Sequence, residues 1–206
     1  MTAPSPSRAA LSAIILAAGQ SNRMGAMNKL LLEWGQGGTI VREVAENARA
    51  AGVDDLIVVT GHEAERVKRA LECMECTFVD NPSYRDGLAS SLKAGFNAAI
   101  GSGAPGALIL LGDMPLVTAA VIGRVIEAAA ANPECLVQPV AEGMPAHPVW
   151  LPKRIKLAID RLEGDSGARA LIAGEGDNVV NVEVPASASV DLDTVDDYRD
   201  AIGTLT

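Results

Sequence analysis

Short runs in which nearly every residue is apolar alternate along this chain with longer stretches in which apolar residues return every three or four positions. The runs at 11–17, 55–60, 76–80, 107–111, 136–140 and 179–184 have strand length. A strand that is apolar on both faces belongs in a parallel sheet covered by helices on either side. The stretches at 40–51, 63–71, 88–100 and 119–131 carry the helical period. In the first of them Ile40, Val41, Val44, Ala45 and Ala48 share one face, and Gly52 supplies a stop. Asn132-Pro133 ends the last. The alternation predicts an α/β fold: a single Rossmann-like, three-layer domain with a mostly parallel central sheet and right-handed crossovers. No repeat, charge run or Pro/Gly linker divides it. The expected organisation is a disordered tail over 1–10 and one domain over 11–206, with a small hairpin projecting around 142–150.

Composition narrows the classes. The 206 residues, 49% hydrophobic and 21% charged, suffice for a full core. A chain of this length buries roughly 70–75% of its unfolded surface. A net charge of −9 with 3% aromatic residues lacks the cationic field and stacking platforms of nucleic-acid binders, so polymeric nucleic acid is excluded as a partner. No uninterrupted apolar stretch approaches the ~18 residues of a membrane span, and the N-terminal stretch does not resemble a signal peptide. Three cysteines are too few for a disulfide framework. Cys73 and Cys76, spaced as Cys-Met-Glu-Cys, read as packing thiols at a helix–strand junction; reduced thiols suit a cytoplasmic protein.

Chemistry concentrates where strands end. After the first strand comes Leu16-Ala17-Ala18-Gly19-Gln20-Ser21-Asn22-Arg23-Met24-Gly25, then Lys29. Small residues there let backbone N–H groups approach an anion, and Arg23 and Lys29 offer charge-assisted bonds to phosphate. Neither the dinucleotide nor the Walker glycine pattern is met. Asp113 in Gly112-Asp113-Met114-Pro115 follows the strand at 107–111 directly, where α/β sheets bind ligands. A carboxylate facing a triphosphate needs a compensating cation, and Mg2+ binds through one or two carboxylates plus phosphate oxygens. The bland alternative is a cap for the helix near Ala119.

Other segments leave two readings each. Ser90 and Ser91 would bond a base or phosphate, or cap the helix they open. His147, in Gly-Met-Pro-Ala-His-Pro, would donate to a ligand or bond a loop carbonyl. Asp165 and Ser166 would cap the helix that ends near Gly174. Thr194 reads as an N-cap with Asp197 at the third helical position, a near capping box without Glu.

The first loop and Gly-Asp-Met-Pro resemble the signature segments of nucleotidyltransferases that join an NTP to a phosphorylated acceptor. More narrowly, the chain resembles the molybdenum cofactor cytidylyltransferase and guanylyltransferase group, over about 11–202. The resemblance implies the nucleotide-diphospho-sugar transferase type of fold. It also implies attack by the acceptor's phosphate on the α-phosphorus, with release of pyrophosphate. Leu16, Ala17, Ala18, Gly19 and Ser21 would contact nucleotide, Arg23 and Lys29 would hold its phosphates, and Gly87 and Ser90 would lie beside the base. Asp113 and Asp193 would hold Mg2+, with Asp191 as the alternative second ligand. His147, Asp165, Arg169 and Asp191 would face the acceptor.

Some related groups have Gly-Gly where this chain has Ala18-Gly19, which favours CTP over GTP. The expected activity is transfer of CMP from CTP to molybdopterin, with a molybdenum enzyme as recipient of the product. The alternatives are a guanylyltransferase, an NTP transferase with another phosphorylated acceptor, and a non-catalytic nucleotide-binding accessory protein for a molybdenum enzyme. A nicotinamide oxidoreductase would need a ribose-binding acid after the second strand, where this chain has Thr60-Gly61-His62.

Overall fold

β1 (Ser12–Ala17) is buried along its whole length, and its side chains alternate between two separate apolar clusters. Ala13, Ile15 and Ala17 join one; Ile14 and Leu16 join the other. This is what a strand between two helical layers requires. The computed structural model describes residues 11–20, 27–35 and 37–203, so the expected tail over 1–10 lies outside the described residues.

After β1 come β2 (Glu33–Trp34), β3 (Gly38–Thr39), α1 (Ile40–Ala50), β4 (Asp55–Thr60), α2 (Ala64–Ala70) and β5 (Thr77–Asp80). Then follow α3 (Leu88–Gly101), β6 (Gly106–Leu111), α4 (Ala119–Ala131), β7 (Leu136–Ala141), β8 (Met144–Pro145) and β9 (Val149–Pro152). The chain continues through α5 (Lys156–Asp160), α6 (Ala168–Ile172), β10 (Val179–Glu183) and α7 (Val195–Gly203). The main sheet has the order β10-β7-β9-β6-β1-β4-β5, with β8 beside β7. All pairs are parallel except those made by β9 and β8.

The helices cover both faces. α1, α2 and α4 pack on the side of Ile15, while α3, α5 and α6 pack on the side of Ile14. α3 approaches most closely at Gly95, where an added Cβ would stand 2.5 Å from Ile14 Cγ2 and 2.8 Å from Val59 Cγ2. Gly52 ends α1 as expected. It sits at φ 88° while its N–H and that of Val53 bond the carbonyls of Arg49 and Ala48.

The sheet differs from expectation at one place. The segment read as a projecting hairpin does turn, at Glu142 and Gly143, but only β8 forms its return arm. Val149–Pro152 instead enters the sheet between β6 and β7 as its antiparallel member. Trp150, 4% exposed, pairs with both neighbours, and that burial outweighs the local bias of the flanking prolines.

A small third cluster of Trp34, Ile40, Leu192 and Ala201 anchors the C-terminal segment. Tyr198 Oη donates to the Glu33 carbonyl at 2.7 Å. The expected capping box forms: the Thr194 N–H and Oγ1 donate to Asp197 Oδ2, and the Asp197 N–H returns to Thr194 Oγ1. Cys76 packs beside the α1-side core, but Cys73 is exposed at φ 71°, so only one of the pair is a packing thiol. Among the described residues, no helix is long and apolar enough to cross a membrane.

Candidate functional site

Within the main sheet the strand that follows β1 in sequence, β4, lies on one side and the later β6 on the other, so strand order reverses between β1 and β6. Crevices open at such points beyond the carboxyl ends of the strands. Here Leu16 pairs with Leu111, and the Gly112 N–H donates to the Leu16 carbonyl at 3.1 Å. A side chain at Gly112 would press on that carbonyl and on Leu30. The crevice holds a cleft of about 460 Å3 whose wall includes Ala18, Gly19, Lys29, Tyr84, Ser91 and Asp113.

One ammonium organises its floor. Asn28 Oδ1 accepts from the Leu30 N–H at 3.2 Å and starts the turn that presents Lys29. Lys29 Nζ lies 2.5 Å from Asp113 Oδ2 and 2.7 Å from Asp193 Oδ1. Burial works against the charged lysine, but the two carboxylates outweigh it and hold its pKa above the ordinary value. Leu192 is fully buried between Asp191 and Asp193, and its N–H donates to the Asp113 carbonyl at 3.3 Å. That bond fastens the two acidic segments together. Burial, and then the neighbouring Asp193, push the Asp191 carboxyl above its usual value.

A second cleft of about 440 Å3 adjoins the first, and Leu88, Leu111 and Asp165 line both. Its wall also carries Gln138, His147, Arg169 and Asp191. Burial drives the His147 imidazole below its ordinary pKa, and Arg169 adds to this against the Ile109 carbonyl and Asp113. The ring is therefore neutral at neutral pH.

Of the residues singled out from sequence, the fold brings Leu16, Ala18, Gly19, Lys29, Gly87, Asp113 and Asp165 to the first cleft. His147, Asp165, Arg169 and Asp191 come to the second. Asp193 joins the first group through Lys29. Ser21 and Arg23 lie outside the described residues. Ala17 points into the opposite core.

Ser90 faces a separate groove behind α3, accepting from Asn81 Nδ2 at 2.8 Å and donating to the Gly87 carbonyl, while its neighbour Ser91 lines the cleft. Neither Asp165 nor Ser166 caps α6, whose N-cap is Gly167 without a side-chain bond. α4 is capped by Thr118, which leaves Asp113 free of that duty. Gly87 is needed for its backbone: at φ 101° it runs against Gly164, whose carbonyl accepts from Ala89 at 3.0 Å.

Sequence reading passed over Tyr84, Arg85 and Gln138. Arg85 stacks over the Tyr84 ring at 5.5 Å, and both line the first cleft. An adjacent aromatic–cation pair just ahead of a helix was the available signal. For Gln138 it was a polar residue inside an apolar strand.

A divalent cation fits this chemistry. Asp113 and Asp193 converge on the Lys29 ammonium, both are hard oxygen donors, and Asp113 borders the open space of the first cleft. Among the described residues no group of three or more His, Cys, Asp or Glu side chains forms a complete protein cage. That matches an ion whose remaining ligands come from phosphate and water.

Comparison with known proteins agrees. Residues 13–180 match the family described as MobA-like NTP transferase domain. The chain is 31% identical over 192 residues to the molybdenum cofactor cytidylyltransferase of Escherichia coli (strain K12), covering 92% of this chain and 94% of that one. A nucleotidyl transferase from Methanothermobacter superposes with a TM-score of 0.82 at 26% identity, covering 95% of this chain and 97% of its own. Rv0371c from Mycobacterium tuberculosis H37Rv, in complex with manganese, superposes with a TM-score of 0.75 at 28% identity, covering 94% of this chain and 98% of its own. With a match that runs from β1 into β10, the chain belongs to the MobA-like NTP transferase family and is a nucleotidyltransferase.

Proposed function

We propose that this protein transfers CMP from CTP to the phosphate of molybdopterin, uses Mg2+, and releases pyrophosphate. The observation that carries the reading is the meeting of two clefts at Leu111 and Asp165 beside the Lys29–Asp113–Asp193 cluster. One cleft takes the nucleotide and the other the acceptor, so the reacting atoms meet at their junction. The likeness to the Escherichia coli cytidylyltransferase over nearly the whole chain supports this pair of substrates.

An oxygen of the acceptor phosphate forms the new bond to the α-phosphorus. The bond from that phosphorus to the oxygen bridging toward the β-phosphate breaks, and its electron pair leaves with pyrophosphate. The attacking oxygen is already anionic, so no side chain need remove a proton; positioning and charge stabilisation supply the rate. Asp113 and Asp193 would hold the cation, which would supply Lewis-acid polarisation of phosphoryl oxygens. Lys29 and Arg23 steady the departing pyrophosphate. Arg169 offers a guanidinium to the acceptor phosphate, and neutral His147 offers a hydrogen bond without adding charge.

The test incubates the protein with Mg2+, molybdopterin and each NTP in turn, and follows pyrophosphate and the dinucleotide formed. CTP should dominate. Predominant guanine dinucleotide would replace the cytidylyl reading with a guanylyl one. Nucleotide binding without pyrophosphate would leave an accessory binding protein.

A further inference from the structure

Gln138 is a buried amide in the middle of β7, on a strand whose other inward positions are apolar. Its orientation is fixed by chemistry. Nε2 lies 2.7 Å from the Pro139 carbonyl and 2.9 Å from the Ala146 carbonyl. Turning the amide over would set Oε1 against two acceptors, so the nitrogen must face them, and both of its hydrogens are spent. The side chain lines the second cleft, and among the described residues no donor is bonded to Oε1. Oε1 is open to the cleft, where a ligand or water completes it. Asp165 and Asp191 add further acceptors to the same cleft, and Arg169 supplies its cation.

We infer that Gln138 is a specificity-determining residue of the acceptor site, its Oε1 accepting from the exocyclic amino group of a phosphorylated, amino-substituted bicyclic heterocycle. Resting on the reading of the second cleft as the acceptor site, the inference adds which edge of the acceptor is read and by which atom. Asp165 and Asp191 favour the same N–H-rich edge, while Arg169 takes the phosphate. A ring bearing a carbonyl in place of the amino group sets oxygen against oxygen and is rejected.

The test compares 6-hydroxymethylpterin with 6-hydroxymethyllumazine, which carries an oxo group where the pterin carries its amino group. Dissociation constants are measured by fluorescence for wild type and for Gln138→Met, and thermal unfolding checks that the variant folds. Wild type should prefer the pterin by roughly tenfold, the scale of one neutral hydrogen bond. In Gln138→Met the preference should collapse toward unity.

A residue that merely tethers Ala146 would lower both affinities alike and leave the ratio intact; that result overturns the inference. So does a wild type that binds neither ring or binds both equally, whether or not the variant folds. Transfer to molybdopterin is measured in parallel. If wild type makes no dinucleotide, the acceptor reading falls and the inference with it. If it makes the dinucleotide while Gln138→Met keeps its pterin preference, only the inference fails.

Discussion

The Lys29 ammonium stands 2.5 Å from Asp113 Oδ2 and 2.7 Å from Asp193 Oδ1, joining the two carboxylates proposed to hold a divalent cation. On that proposal cation and ammonium would compete for the same carboxylates. Removing the ammonium should help the metal when no nucleotide is present. In Lys29→Met, Mn2+ titrated by calorimetry without nucleotide should bind more tightly than in wild type, and CTP should bind about 10- to 150-fold more weakly, the scale of one charge-assisted bond. Metal affinity equal to wild type would falsify the competition.

Asp113→Asn should lower turnover about 100- to 1,000-fold, because an amide keeps the shape but loses the charge that, in the proposed reaction, would hold the cation against phosphate. Asp193→Asn should lose less, since water can fill its place. Initial rates of pyrophosphate release across a Mg2+ series read both. Full activity with an unchanged metal requirement in Asp113→Asn sinks the assignment.

The ion pair also carries a pH signature. The folded-state pKa of Lys29 is raised, so its contribution to stability is complete below the ordinary lysine value of about 10.4 and is lost as pH rises through the folded value. Urea midpoints of wild type and Lys29→Met should therefore run parallel from neutral pH to about pH 10. They should converge only in stronger alkali. Convergence near neutral pH would show that the pair does not form.

Base choice can be tested at Ala18. Ala18 is 3% exposed, its methyl packs close to Gly61, and the residue forms part of the cleft wall. Ala18→Gly should raise the GTP rate relative to CTP several-fold. The effect should stay below the roughly 10- to 200-fold that a methylene touching the ligand commands. Competition at equal CTP and GTP measures it, and an unchanged ratio places base selection elsewhere.

Gly95→Ala tests the close approach of α3 to the sheet. Alanine favours a helix over glycine by about 1 kcal/mol, but its Cβ would meet Ile14 and Val59 in a rigid core. Overpacking of that kind costs about 1–3 kcal/mol, so the net change should be destabilising. The urea midpoint decides the sign.

Much of this was legible in the residues because it is local. Gly52, the Thr194–Asp197 cap and the doubly apolar strands each follow from neighbours in sequence. β9 was not legible: Val149–Pro152 is short and bounded by prolines, and only pairing with distant β6 and β7 makes it a strand. Nor could spacing show that Lys29 meets Asp193, 164 residues away. Ser90 and Ser91 are chemically alike, and the burial of Ala89, Leu92 and Phe96 sets the rotation of α3 that turns Ser91 into the cleft.

The late antiparallel strand also orders assembly. β6 and β7 are made before β9, yet β9 lies between them, so neither can complete its place in the sheet until Val149–Pro152 has been synthesised. Until then β6 carries an open edge, and β7 has little beyond the two-residue β8 to pair with. The half of the sheet that supports the first cleft can close early, while the half bearing Gln138 joins the sheet through this bridge, with α4 packed across both halves. A chain stalled before residue 149 would hold most of the strands beneath the first cleft but lack the strand that fastens the second cleft's wall to them.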